Sequence, residues 1–176
     1  MQVRKQPTSR EQPPEGVHLA RIVGLTNLGH QPGFTWAGGE AEDAFKFEIT
    51  YELVATKMKD DRNFWVSEEV TNTDNEKGKL RHRIVSTGSN FDNIDGLVGK
   101  PVMVTLEINA KGYPKITNVA GVPSGLPVPS LENETQIFDI YASPSQKDLF
   151  LSFPEFKQNK IRSALDFNET QLSKDL

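Results

Sequence analysis

The sequence predicts an all-β domain with minor α content, and three observations carry that prediction. From Phe45 to Leu53 apolar and polar residues alternate without a break. Val102, Val104, Leu106 and Ile108 alternate with Met103, Thr105 and Glu107 in the same way. Between Val17 and Val122 three strand-like segments, one short helical segment and two more strand-like segments follow in order. That is the order of an OB-fold, a small five-stranded barrel with a helix between strands three and four.

Residues 1–16 are polar and locally basic (Arg4, Lys5, Arg10) and read as a mobile arm. The OB-fold domain is assigned to 17–122. Val17 to Leu25 forms its first strand, and the Gly-rich stretch from Asn27 to Asp43 reads as a long exposed loop. Strand two is the alternating run. Its period puts Phe45, Phe47, Ile49, Tyr51 and Leu53 on the core face, and Lys46, Glu48, Thr50 and Glu52 on the other. Strand three is Phe64 to Val70, with Phe64 and Val66 inward and Trp65, Ser67 and Glu69 outward. A capping box at Thr73-Asp74-Asn75-Glu76 starts the helix, Leu80, Ile84 and Val85 form its apolar stripe, and Gly88 stops it. Strand four, a turn at Asn109-Ala110-Lys111-Gly112 with Gly112 at positive φ, and a fifth strand from Tyr113 to Val119 complete the domain. A Pro-rich linker (123–136) leads to a helical extension (137–176), where Ser143-Pro144 and Ser152-Phe153-Pro154 offer helix starts. Phe150, Phe153, Phe156, Ile161 and Leu165 there need a partner surface, either the barrel or another molecule.

Composition narrows the function. The 176 residues contain no cysteine, which excludes disulfides, zinc–thiolate sites and thiol catalysis. No apolar run approaches the roughly 18 residues of a membrane span, and the N-terminus lacks the apolar region of a secretory signal, so a cytoplasmic protein is expected. His18, His30 and His82 are far apart and show no metal-ligand spacing, and no nucleophile–base grouping or phosphate loop is present. No catalytic residue, metal or cofactor is assigned, and an enzyme is not expected. The net charge of −4 divides into 15 Lys/Arg against 16 Asp/Glu up to Val122, and 5 against 8 beyond it. Binding to a polyanion would therefore need basic residues gathered on one surface.

Aromatic and basic residues suggest such a surface. Single strands are held by stacking bases on rings within a cationic groove. Phe34 and Trp36 fall in the first loop, Trp65 on the outer face of strand three, and Tyr113 at the last hairpin. Arg21, Lys46, Lys59 and Arg62, with Lys111 and Lys115, are the candidate phosphate contacts. These positions map onto strands two and three and the loops by which OB-folds bind oligonucleotides. Glu48, Glu52, Glu68 and Glu69 lie on the same strands and would repel phosphate.

The runs PPEGVHLARIVGLTNLG, FKFEITYEL, LVGKPVMVTLEI and VAGVPSGLPVPSLEN, followed by IFDIYA, resemble a family of tailed-bacteriophage single-stranded-DNA-binding proteins with an OB-fold core. The resemblance spans about residues 12–165. It implies sequence-independent binding and protection of single-stranded DNA in phage replication or recombination in the host cytoplasm, alongside other replication or recombination proteins. The family's strand three has a basic pair in a pattern similar to S-K-R-Y-T, where this chain has Ser67-Glu68-Glu69-Val70-Thr71. The alternative is a structural or interaction protein, its Phe-rich C-terminus joining a partner or a second copy.

Overall fold

The first strand runs beyond the apolar stretch that predicts it: β1 spans Gly16–Gln31, sixteen residues. Two two-residue strands, β2 (Thr35–Trp36) and β3 (Gly39–Glu40), pair with each other. Then follow β4 (Ala44–Lys57), β5 (Asn63–Thr71), α1 (Lys79–Thr87), β6 (Pro101–Ile108), β7 (Pro114–Ala120), β8 (Gln136–Asp139), α2 (Lys147–Ser152), α3 (Glu155–Arg162) and α4 (Gln171–Asp175). This computed structural model describes residues 11–33, 35–36, 39–40 and 42–176, with only the backbone of 35–36 and 39–40. The chain is mostly β with a few short helices.

Register shifts between Ile22 and Gly24 and between Asn27 and Gly29 interrupt β1, and such bulges bend a strand. The bent strand serves three neighbours. Gly16–Arg21 pairs antiparallel with β6, Ala20–Gln31 pairs antiparallel with β4, and Gly24–Asn27 pairs parallel with β8. The sheet order is β5-β4-β1-β6-β7, with β8 added beside β1. The sheet is open: among the described residues no ladder joins its edges β5 and β7, although the two strands come near each other.

The long exposed loop expected at 27–43 starts later than its composition suggests. Asn27–Gln31 continues β1, because Leu28 has a second apolar cluster to enter. Gly29 takes φ 72, and a Cβ there would lie 2.9 Å from the Tyr141 hydroxyl, so this bend needs a residue without a side chain. On β4 the expected core row holds for Phe47, Ile49, Tyr51 and Leu53, all buried. Phe45 ends the row exposed and stacks on His30, ring centroids 4.6 Å apart. Ile108 ends the β6 row exposed in the same way.

The capping box does not form. Thr73 Oγ1 accepts from the Asn75 amide at 3.2 Å and Asn75 Oδ1 from the Lys77 amide at 3.0 Å, so both side chains close turns. The helix starts later, at Lys79 behind Gly78, with no side-chain cap. Gly88 ends it in the left-handed region, as expected. Leu80 and Ile84 are buried, but Val85 points to solvent at 64% exposure and Arg83 is buried instead.

The C-terminal segment covers the sheet. Phe138, Phe150, Phe153 and Ile161 gather around Leu28 of β1, with Phe153 edge-on to Phe138 at 5.3 Å. The buried Gln31 amide donates to the Leu28 and Lys160 carbonyls and accepts from the Ser163 hydroxyl. The Leu165 amide donates to the His30 carbonyl at 2.8 Å. The two expected helix starts shift by a few residues, to Lys147 and to Glu155 behind Pro154. Phe156 and Leu165 stay exposed. Among the described residues no helix is long and apolar enough to cross a membrane.

Candidate functional site

Along the outer face of β4 and β5 the ladder places four pairs side by side: Glu52 opposite Trp65, Thr50 opposite Ser67, Glu48 opposite Glu69, and Lys46 opposite Thr71. From Trp65 to Thr71 is six residues, about 20 Å at a strand's rise. Alternation alone predicts a solvated polar row. Instead Thr50 and Glu52 are buried, because the segment after β7 folds over them.

Glu52 is fully buried yet ionised. Its carboxylate accepts from Trp65 Nε1 at 3.1 Å, Asn63 Nδ2 at 3.2 Å, Asn133 Nδ2 at 2.5 Å and the Glu132 amide at 2.7 Å. Burial works against the charge, but these donors outweigh it and hold the carboxyl below its usual range. The bond to Trp65 also fixes the indole, which stays 43% exposed. Two of the four donors come from 132–133, so the Pro-rich segment is pinned to the sheet at this point.

Glu48 and Glu69 face each other, an unfavourable placement for like charges. Two lysines one turn apart on α3 answer them: Lys157 Nζ lies 3.0 Å from Glu48, and Lys160 Nζ lies 3.4 Å from Glu69. Lys157 also sits 4.0 Å over the Phe153 ring. Glu68 points to the inner face. There Arg83 grips it through two N–H groups at 2.8 and 2.9 Å, and the Tyr51 hydroxyl donates to it. Burial, then the neighbouring Glu68 charge, push the Tyr51 hydroxyl far above its ordinary pKa. Burial alone would lower the Arg83 pKa, but its bonds to Glu68 hold the guanidinium above its ordinary value. Three of the four glutamates that argue against an anionic ligand are thus paired with cations, while Glu52 keeps its charge among neutral donors.

The face has a recess at each end. Next to Trp65 a groove of about 280 Å³ lies between the strands and the α2–α3 segment. At the other end Lys46, Lys77 and Lys79 line an open hollow of about 440 Å³ ahead of α1. Lys46 Nζ is steadied there by the Thr71 hydroxyl at 2.7 Å.

The remaining candidates are distributed as follows. Phe34 lies outside the described residues, and Trp36 is described only as backbone of β2. Arg21 donates to the carbonyls of Gly99, Val128 and Pro129 at 2.8–3.0 Å, so its guanidinium holds the Pro-rich segment. Lys59 and Arg62 sit in the exposed β4–β5 turn, where Arg62 pairs with Asp60 at 2.6 Å. Tyr113, Lys111 and Lys115 are exposed at the β6–β7 hairpin, Lys115 opposite Glu107. Among the described residues no hydrogen bond, ion pair or ring contact connects that hairpin to the Trp65 face. The structure therefore groups Trp65 and Lys46 on one face. It adds Lys77, Lys79, Phe156 and Lys157, which sequence reasoning missed. The helix-start signal at Pro154 locates α3 in the chain, but no local pattern says which face it covers.

Comparison with protein-family models, curated proteins and solved structures gave no match.

Proposed function

We propose that this protein binds single-stranded DNA without sequence preference, along the outer face of β4 and β5 in an OB-type barrel, and protects it during phage replication or recombination. Binding rather than turnover is its activity. The observation that carries the reading is the arrangement of that face. A half-exposed indole stands at one end, a lysine-lined hollow at the other, and the carboxylates between them are already neutralised. Rings for stacking and cations for phosphate are the two components of strand binding. The barrel reading draws support from the bent β1 shared by β4 and β6, from α1 between β5 and β6, and from the approach of the edges β5 and β7.

Titration of a labelled oligo-dT at two salt concentrations tests the proposal. Affinity falls as salt rises, by a log–log slope of about −0.7 per phosphate contacted. Absence of binding at low salt refutes it. A second reading, an interaction protein, is favoured by the exposed Leu151 and Leu165 on the helical extension. If it holds, Leu151→Ser and Leu165→Ser disperse an assembly seen by light scattering and leave DNA affinity unchanged.

A further inference from the structure

Phe156, the second residue of α3, is 68% exposed, while Phe150, Phe153 and Ile161 are buried. A phenyl ring left largely in water forgoes most of the free energy of its burial. Packing within the chain does not account for it. Its location does: Phe156 lines the same groove as Trp65, one ring from the helical segment and one from β5. Gly24 of β1 leaves the groove open beneath them; a Cβ there would already touch Thr50 at 3.4 Å. The hydroxyls of Thr50 and Ser67, bonded to each other at 2.9 Å, also line it. Each hydroxyl retains hydrogen-bonding capacity beyond that one bond.

We infer that this groove takes one unpaired nucleobase of the bound strand between Trp65 and Phe156, so that α3 forms a second wall of the DNA site. The inference rests on the single-strand reading above and adds residues to it. Two aromatic walls with hydroxyls between them suit a flat group that is apolar on its faces and polar at its edge. At about 280 Å³ the groove is slightly smaller than the roughly 300–1,000 Å³ of drug-sized pockets, which suits a single ring system. Lys157 at the same groove is committed to Glu48, so the ring and not a phosphate is the anchoring group here.

The test uses the full-length protein and oligo-dT. Phe156→Leu retains an apolar side chain but no ring, and is expected to weaken binding about 5- to 150-fold, the range for one stacked base. Phe156→Tyr retains the ring and is expected to bind as the native protein does. In a Trp36→Phe background, where Trp65 is the only tryptophan, oligo-dT quenches the Trp65 emission, and Phe156→Leu reduces that quenching. Native affinity for Phe156→Leu at an unchanged melting temperature overturns the clamp and leaves strand binding intact. A Tyr variant as weak as the Leu variant also overturns it. If the native protein fails to bind oligo-dT at low salt, the underlying reading falls, and the clamp with it.

Discussion

Glu48 stands opposite Glu69 across the β4–β5 ladder, and a single turn of α3 neutralises both through Lys157 and Lys160. In sequence these glutamates make the strand face look hostile to phosphate. In the fold they pair with a helix from the far end of the chain that packing and hydrogen bonds also hold on that face. The lysines therefore set the field of the site without needing to touch a ligand.

Replacing both lysines by Ala exposes the two carboxylates to a bound strand. The Coulomb scale for charges about 4 Å apart in water is about 1 kcal/mol, so each unmasked carboxylate is expected to cost about fivefold in affinity. Adding Glu48→Gln and Glu69→Gln restores binding. Lysines acting as direct phosphate contacts would give a loss that the glutamine changes do not repair. Anisotropy titrations of the double and quadruple variants separate the two.

Glu52 ties acid stability to the site. Its folded pKa lies below the unfolded value of about 4.5, so its contribution is complete above that value and is lost as pH falls through the folded value. Glu52→Gln presents an amide to donors that need an acceptor, and is expected to cost about 1–3 kcal/mol at pH 7. The variant's melting temperature falls less steeply than the native one below pH 4.5. Parallel acid limbs would remove Glu52 from this role.

What the sequence reveals here is what short-range physics controls. The alternation of β4, the stop at Gly88 and the positive φ of Gly112 are each set by a few adjacent residues, and each is found where expected. The capping box fails because Thr73 and Asn75 satisfy nearer amides first. The parallel pairing of β8 with β1, the burial of Glu52 beneath 132–133 and the seating of α3 over Glu48 join residues far apart in the chain. No periodicity encodes such pairings. The candidate site was therefore legible at Trp65 and Lys46, which lie on the strands, and not at Phe156, which reaches them from elsewhere.

Arg21 and Trp65 are expected to separate stability from binding. Arg21 makes three charge-assisted bonds to backbone carbonyls, so Arg21→Met lowers stability by about 1.5–3 kcal/mol and leaves oligo-dT affinity unchanged well below the melting temperature. Trp65→Ala lowers affinity about 5- to 150-fold at the same temperature. Thermal melts paired with titrations decide it. An affinity loss in Arg21→Met at full stability would return Arg21 to the binding surface.

Leu28 links the two apolar clusters. It sits on β1, whose Ile22 and Leu25 enter the sheet's core, yet its own side chain is buried among Phe138, Phe150 and Ile161. Parallel pairing with β8 and the Gln31 amide fasten the same stretch to the helical segment. Sheet and extension are therefore expected to unfold in one cooperative transition. Leu28→Ala should lower its midpoint by the equivalent of about 2–5 kcal/mol, the cost of a large-to-small change in a packed core. Removal of residues 131–176 would strip Leu28 of its cluster and Glu52 of two of its four donors, so a truncated chain is expected to lose the sheet as well as the extension. Calorimetry of the full chain checks the coupling. Two resolved transitions, with Leu28→Ala shifting only one, would show that the extension folds separately from the face it covers.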